Sequence, residues 1–118
     1  MTAESRALQV RLNWVGTTAV LTARGEVDAA SAPQLQSGIE EALDRTPPVL
    51  VIDLSGVGFF GSAGLSVLLL ALEKLAKDSL RVVASPQVRR PIEVTGLDGM
   101  LDLFETLPAA LHSGDLPA

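Results

Sequence analysis

Ser62 is the side chain best placed to do chemistry. It stands between Gly61 and Gly64 in the run SGVGFFGSAG, residues 55–64. A serine nucleophile needs a general base at its side. The one histidine, His112, lies near the C-terminus, and there is no cysteine. The glycines lack the GK[ST] ending of a phosphate-binding loop, which disfavours nucleotide binding there. Glu26, Asp28 and Asp53 form a possible acidic cluster, with turn and cap roles as the simpler reading of each. Arg89-Arg90 reads as a solvated helix face. Without cysteine, disulfides, thiolate metal sites and cysteine catalysis are excluded. The expectation is a protein that is not an enzyme and holds neither cofactor nor metal.

Two roles stay open for Ser62. As a helix N-cap its oxygen accepts from an amide one turn in, worth about 1 kcal/mol against alanine. As a modified residue it becomes a switch. Gly61 and Gly64 keep side chains away from the hydroxyl, so another protein's active site can reach it. A phosphoserine carries about −1.5 to −2 charges, which the positive end of a helix dipole tolerates. A partner with an apolar or acidic face at the same spot would be expelled. Phe59 and Phe60 are adjacent here, and at least one is expected to be exposed as a docking contact, the alternative being that both are core.

The surrounding elements must position that serine. Val49 to Leu54 is a continuous apolar run, as in a strand covered on both faces. Ser55 to Gly61 reads as a loop, and a helix opens at Ser62. That helix is apolar nearly all round, so it is expected to be largely covered. Upstream, Leu8, Val10, Leu12 and Trp14 alternate with polar residues as a half-buried strand, Gly16-Thr17 turns, and Thr18 to Ala23 forms a second strand. Arg24 to Asp28 continues as an extended segment into a loop. Ser31 to Gln34 has the form of a capping box, opening a helix that Thr46-Pro47-Pro48 ends.

Downstream, Lys77-Asp78-Ser79 is a break and Leu80 to Ala84 a short strand. Ser85-Pro86 opens a helix that Gly96 closes. Asp98-Gly99 turns, Leu101 to Glu105 holds a last strand, and Leu107 to His112 begins a last helix. The tail, 113–118, is expected to fray. The order β-β-α-β-α-β-α-β-α predicts an α/β fold with a mixed sheet. In such sheets functional loops gather beyond the carboxyl ends of strands, so the 26–28 and 53–62 segments are expected to share one patch.

Composition sets the class. At 118 residues, 47% hydrophobic and 19% charged, the chain is expected to be one globular domain with its core over about 8–111. A net charge of −5 disfavours nucleic acid. The start, MTAESRALQV, lacks the apolar core of a signal peptide. The most apolar run, Val67 to Leu72, is far short of the roughly 20 residues that span a bilayer. A cytoplasmic location without membrane insertion is the expectation.

The chain resembles the STAS family, and within it the bacterial anti-sigma factor antagonists. The resemblance rests on Gly25-Glu26-Val27-Asp28, Ala32-Pro33-Gln34-Leu35, Asp53-Leu54-Ser55-Gly56-Val57, Ser62-Ala63-Gly64-Leu65, and Val88-Arg89-Arg90 with Thr95-Gly96-Leu97. It implies a mixed sheet of four or five strands with about four helices packed mainly on one side. It also implies that Ser62 is phosphorylated by an anti-sigma factor that is a serine kinase, which the unphosphorylated antagonist binds so that a sigma factor is released. A serine phosphatase would restore the complex. The implied partner surface comprises Glu26, Asp28, Asp53, Ser55, Phe59, Phe60, Gly61, Ser62, Ala63 and Gly64. One position departs: antagonists commonly carry Asp immediately before the serine, where this chain has Gly61. A different reading of the same resemblance is a STAS subunit, without the switch, of a signalling scaffold or a lipid-transport complex.

Overall fold

The computed structural model describes residues 7–76 and 78–112. The strands are β1 (Gln9–Val15), β2 (Thr18–Val27), β3 (Leu50–Phe60), β4 (Leu80–Ala84) and β5 (Asp102–Phe104). The helices are α1 (Ala32–Leu43), α2 (Ser62–Lys74), α3 (Pro86–Val94) and α4 (Leu107–Leu111), with a 3-10 turn at Leu97–Gly99. The strands lie in chain order, β1-β2-β3-β4-β5. The first pair is antiparallel, and β2-β3, β3-β4 and β4-β5 are parallel. The predicted α/β order and mixed sheet are therefore present.

The hairpin forms because Gly16 takes φ +62° in a two-residue turn between paired Val15 and Thr18. Each parallel pair then needs a crossover, and α1, α2 and α3 supply them. These three helices cover one face, packing Leu35, Ile39, Val67, Leu68, Val88 and Ile92 onto Leu21, Ile52, Leu54 and Val82. Among the described helices only α4 covers the other face, where Ala110 packs with Val20, Val51 and Val83. Its attachment uses a buried cation: Arg81 Nη1 donates to the Ala110 carbonyl at 2.6 Å.

Several local expectations are corrected. The segment 55–60, read as loop, continues β3 and pairs with the end of β2: Arg24 with Gly56, Gly25 with Val57, Glu26 with Phe59 and Val27 with Phe60. The strand carries an extra residue twice along this pairing, so its buried positions fall at Leu54, Val57 and Phe60. A spacing of three hides a strand from any test for alternation. Nor is α2 covered all round, since Leu69 and Leu70 are each 40% exposed.

The capping box at Ser31 does not form either. Ser31 Oγ donates to the Glu26 carbonyl at 2.8 Å, and Gln34 Nε2 donates to the Leu8 carbonyl at 3.2 Å. Both side chains tie α1 to the hairpin, and neither caps it. At the end of α3, Gly96 takes φ +80°, the left-handed closure its position requires. Of the break at 77–79, Asp78 turns with φ +69° and Lys77 lies outside the described residues. The tail 113–118 also lies outside them.

Candidate functional site

The carboxyl ends of β2 and β3 place Ser62. Their pairing ends with the Gly61 amide donating to the Val27 carbonyl at 3.0 Å, and the chain turns at once into α2. The cap of α2 is Gly61, whose carbonyl accepts from the Gly64 amide at 3.0 Å and the Leu65 amide at 3.2 Å. Ser62 is thus the first helical residue and not the N-cap, which corrects the structural reading of its hydroxyl. That hydroxyl is exposed and makes no hydrogen bond to any described residue. The first-turn amides of Ser62 and Ala63 have no intrahelical acceptor, which leaves the positive end of α2 at the same spot.

Two phenylalanines frame the serine differently. Phe60 is buried at 4% exposure, and its ring lies under Gly64: a Cβ there would come within 2.6 Å of Cε1. Phe59 is 51% exposed, and its ring lies across Gly61. The expectation of at least one exposed ring is met by Phe59. Phe60 and the buried Gly64 cannot touch a partner directly, so they act as supports.

On the β2 side, Asp28 closes a turn. Its Oδ1 accepts from the Ala30 and Ser31 amides, each at 3.0 Å, and at 3.1 Å shares the one Ser31 Oγ proton with the Glu26 carbonyl. The Ser31 amide, then the Ser31 hydroxyl, hold the Asp28 carboxyl below its ordinary value of 3.8, against a smaller opposing effect of desolvation. This fixes the loop beside Ser62 and leaves Asp28 charged at neutral pH. Glu26 sits opposite Phe59 in the strand pairing. The structure therefore brings Glu26, Asp28, Phe59, Gly61, Ser62 and Ala63 to one end of the sheet.

Asp53 and Ser55 do not join them. Asp53 pairs with Thr22, seven residues before Phe60 along the strand, or roughly 20 Å at strand spacing. Its Oδ1 accepts from the Ser55 amide at 3.0 Å and from Ser55 Oγ at 2.7 Å, which steadies the first irregularity of β3. Both residues face an open cleft of about 810 Å³ together with Arg11, Asn13 and Arg24. Asp53 is itself buried, at 8% exposure. Their assignment to the Ser62 patch is corrected on these grounds.

His112 ends α4, away from the β2-β3 termini, and among the described residues no group of three or more acidic or histidine side chains is placed to hold a metal. No helix among them is long and apolar enough to cross a membrane. The arrangement gathers an exposed hydroxyl at a helix start, an exposed ring and a fixed acidic turn at one end of the sheet.

Residues 10–105 match the family described as "Mlab, STAS domain". The chain belongs to the STAS family. This STAS domain is 45% identical over 95 residues to the Mycobacterium tuberculosis protein named anti-sigma-F factor antagonist RsfB, spanning 79% of this chain and 78% of that one. It is 32% identical over 82 residues to the Listeria monocytogenes anti-sigma-B factor antagonist, spanning 67% and 72%. The crystal structure of an anti-sigma factor antagonist from Mycobacterium paratuberculosis superposes with a TM-score of 0.86 at 40% identity, covering 91% of this STAS domain and 93% of that chain.

Proposed function

We propose that this STAS protein is an anti-sigma factor antagonist, acting in the cytoplasm as a single domain without catalysis of its own. It binds an anti-sigma factor of the serine-kinase type through Glu26, Asp28, Phe59, Gly61, Ser62 and Ala63, and so releases a sigma factor. Transfer of the ATP γ-phosphoryl to Ser62 Oγ ends the complex, and a serine phosphatase resets it. Names shared by relatives at 45% and 32% identity support the class of function.

The observation that carries the switch is the Ser62 hydroxyl, exposed and without a hydrogen-bond partner among the described residues at the first position of α2. A kinase can reach it without breaking any contact of the fold. The phosphate adds about −1.5 to −2 charges, and the helix start accommodates them at little cost to stability. A bound partner must either desolvate that phosphate or meet it with a cation it lacked before. Binding is lost while the domain stays folded.

The test is incubation with ATP and candidate kinase-type anti-sigma factors, followed by mass-spectrometric mapping. A single phosphate is expected on Ser62. Phosphate at another residue, or binding indifferent to Ser62→Asp, contradicts the switch and favours the subunit reading.

A further inference from the structure

Gly61 occupies a position where helices favour a capping side chain, yet it has none. Its backbone, at φ −90° and ψ −172°, is ordinary extended chain that any residue adopts. No conformational demand selects glycine there, and serine or aspartate would cap α2 slightly better. What a side chain there would press on is Phe59. A Cβ on Gly61 would stand 3.1 Å from Cε2 and 3.2 Å from Cζ of that ring, with the Val27 carbonyl oxygen at 3.7 Å. The ring thus lies over a bare backbone, and any side chain at Gly61 would have to shift it by a few tenths of an ångström.

The ring is nevertheless half in water, at 51% exposure. Resting on Gly61 restricts it before any partner arrives, so less rotamer freedom is lost on binding. An aromatic side chain buries a large apolar area when a pocket closes over it. We infer that Phe59, seated on Gly61, is the specificity-determining residue of this surface: it selects a partner with an apolar pocket of aromatic size beside the group that addresses Ser62. The inference rests on the reading that Ser62 lies in a partner interface. An apolar pocket around Phe59 would also offer no solvation to a phosphate on the adjacent Ser62.

A double-mutant cycle tests this, with the purified kinase-type anti-sigma factor titrated calorimetrically in the absence of ATP. Phe59→Ala is expected to weaken binding roughly 30-fold, as loss of an interface hot spot does. Phe59→Tyr, which keeps the ring, recovers most of that loss. Gly61→Val displaces the ring and weakens binding in the presence of Phe59, but has no further effect in the Phe59→Ala background. Unfolding followed by Trp14 fluorescence verifies that each variant is folded, and Phe59→Leu replaces Phe59→Ala should the latter unfold. Binding by Phe59→Ala within twofold of wild type, or equal effects of Gly61→Val with and without the ring, overturns the inference alone. Failure of the wild-type protein to bind overturns the interface reading and the inference with it.

Discussion

A methyl group placed on Gly64 would stand 2.6 Å from Cε1 and 2.8 Å from Cζ of Phe60. The last residue of β3 and the first turn of α2 are therefore in van der Waals contact through a ring and a bare backbone. That contact sets how α2 leaves the sheet, and with it the position of Ser62. Both residues are buried, so the ring cannot swing out of the way without opening the core.

Gly64→Ala is accordingly expected to destabilise the protein. Overpacking costs about 1–3 kcal/mol, against a gain of up to about 1 kcal/mol from helix propensity. A net loss of about 1–2 kcal/mol should appear as a lower urea midpoint with unchanged slope. Trp14 is a convenient reporter, being the one tryptophan and packed under Arg45 at 5.4 Å. Adding Phe60→Leu should recover part of the loss, and a midpoint equal to wild type for Gly64→Ala would contradict the contact.

The Asp28 turn predicts a pH dependence. Its folded-state pKa lies below the ordinary 3.8 because the Ser31 amide and hydroxyl stabilise the carboxylate. A depressed pKa contributes stability that is present above the unfolded value and lost as pH falls through the folded one. Asp28→Asn should therefore be less stable than wild type at neutral pH, with the difference shrinking below about pH 4. A carboxyl NMR titration of Asp28 should give a midpoint below 3.8. A midpoint at or above that value would contradict the hydrogen bonding described.

Arg81 predicts the behaviour of α4. Replacing it with methionine keeps the apolar stem but leaves the buried Ala110 carbonyl without its donor. The expected cost is about 1–3 kcal/mol. Hydrogen exchange should accelerate in 107–111 more than in α1 or α2, because three helices hold the other face independently of this bond. Unchanged protection of α4 would contradict the anchoring role.

The order of strands and helices was readable in the chain because apolar period and turn residues agreed at nearly every boundary. Gly16 and Gly96 both sit at the positive φ their positions promised. The end of β3 was not readable, because two extra residues broke its alternation and the glycines around Val57 imitate a loop. Ser62 was displaced from cap to first helical residue for a related reason: the cap is a glycine, and propensity favours the serine beside it. The acidic residues were recognisable as turn formers, yet topology alone could not separate Asp53 from Asp28. That required the register of β2 against β3, which sets them at different heights on the sheet. Arg81 gave no signal at all within LRVVA, since its partner is a backbone carbonyl on a helix 29 residues away.

Phosphate on Ser62 is expected to end binding to an anti-sigma factor. The most direct measurement is calorimetric titration of one purified anti-sigma factor with the unmodified protein and with the same protein phosphorylated at Ser62. Burying an uncompensated charge at an interface costs about 2–5 kcal/mol or more. The phosphorylated form is expected to bind at least roughly 30-fold more weakly, with an unchanged unfolding midpoint. Equal affinities for the two forms would contradict it.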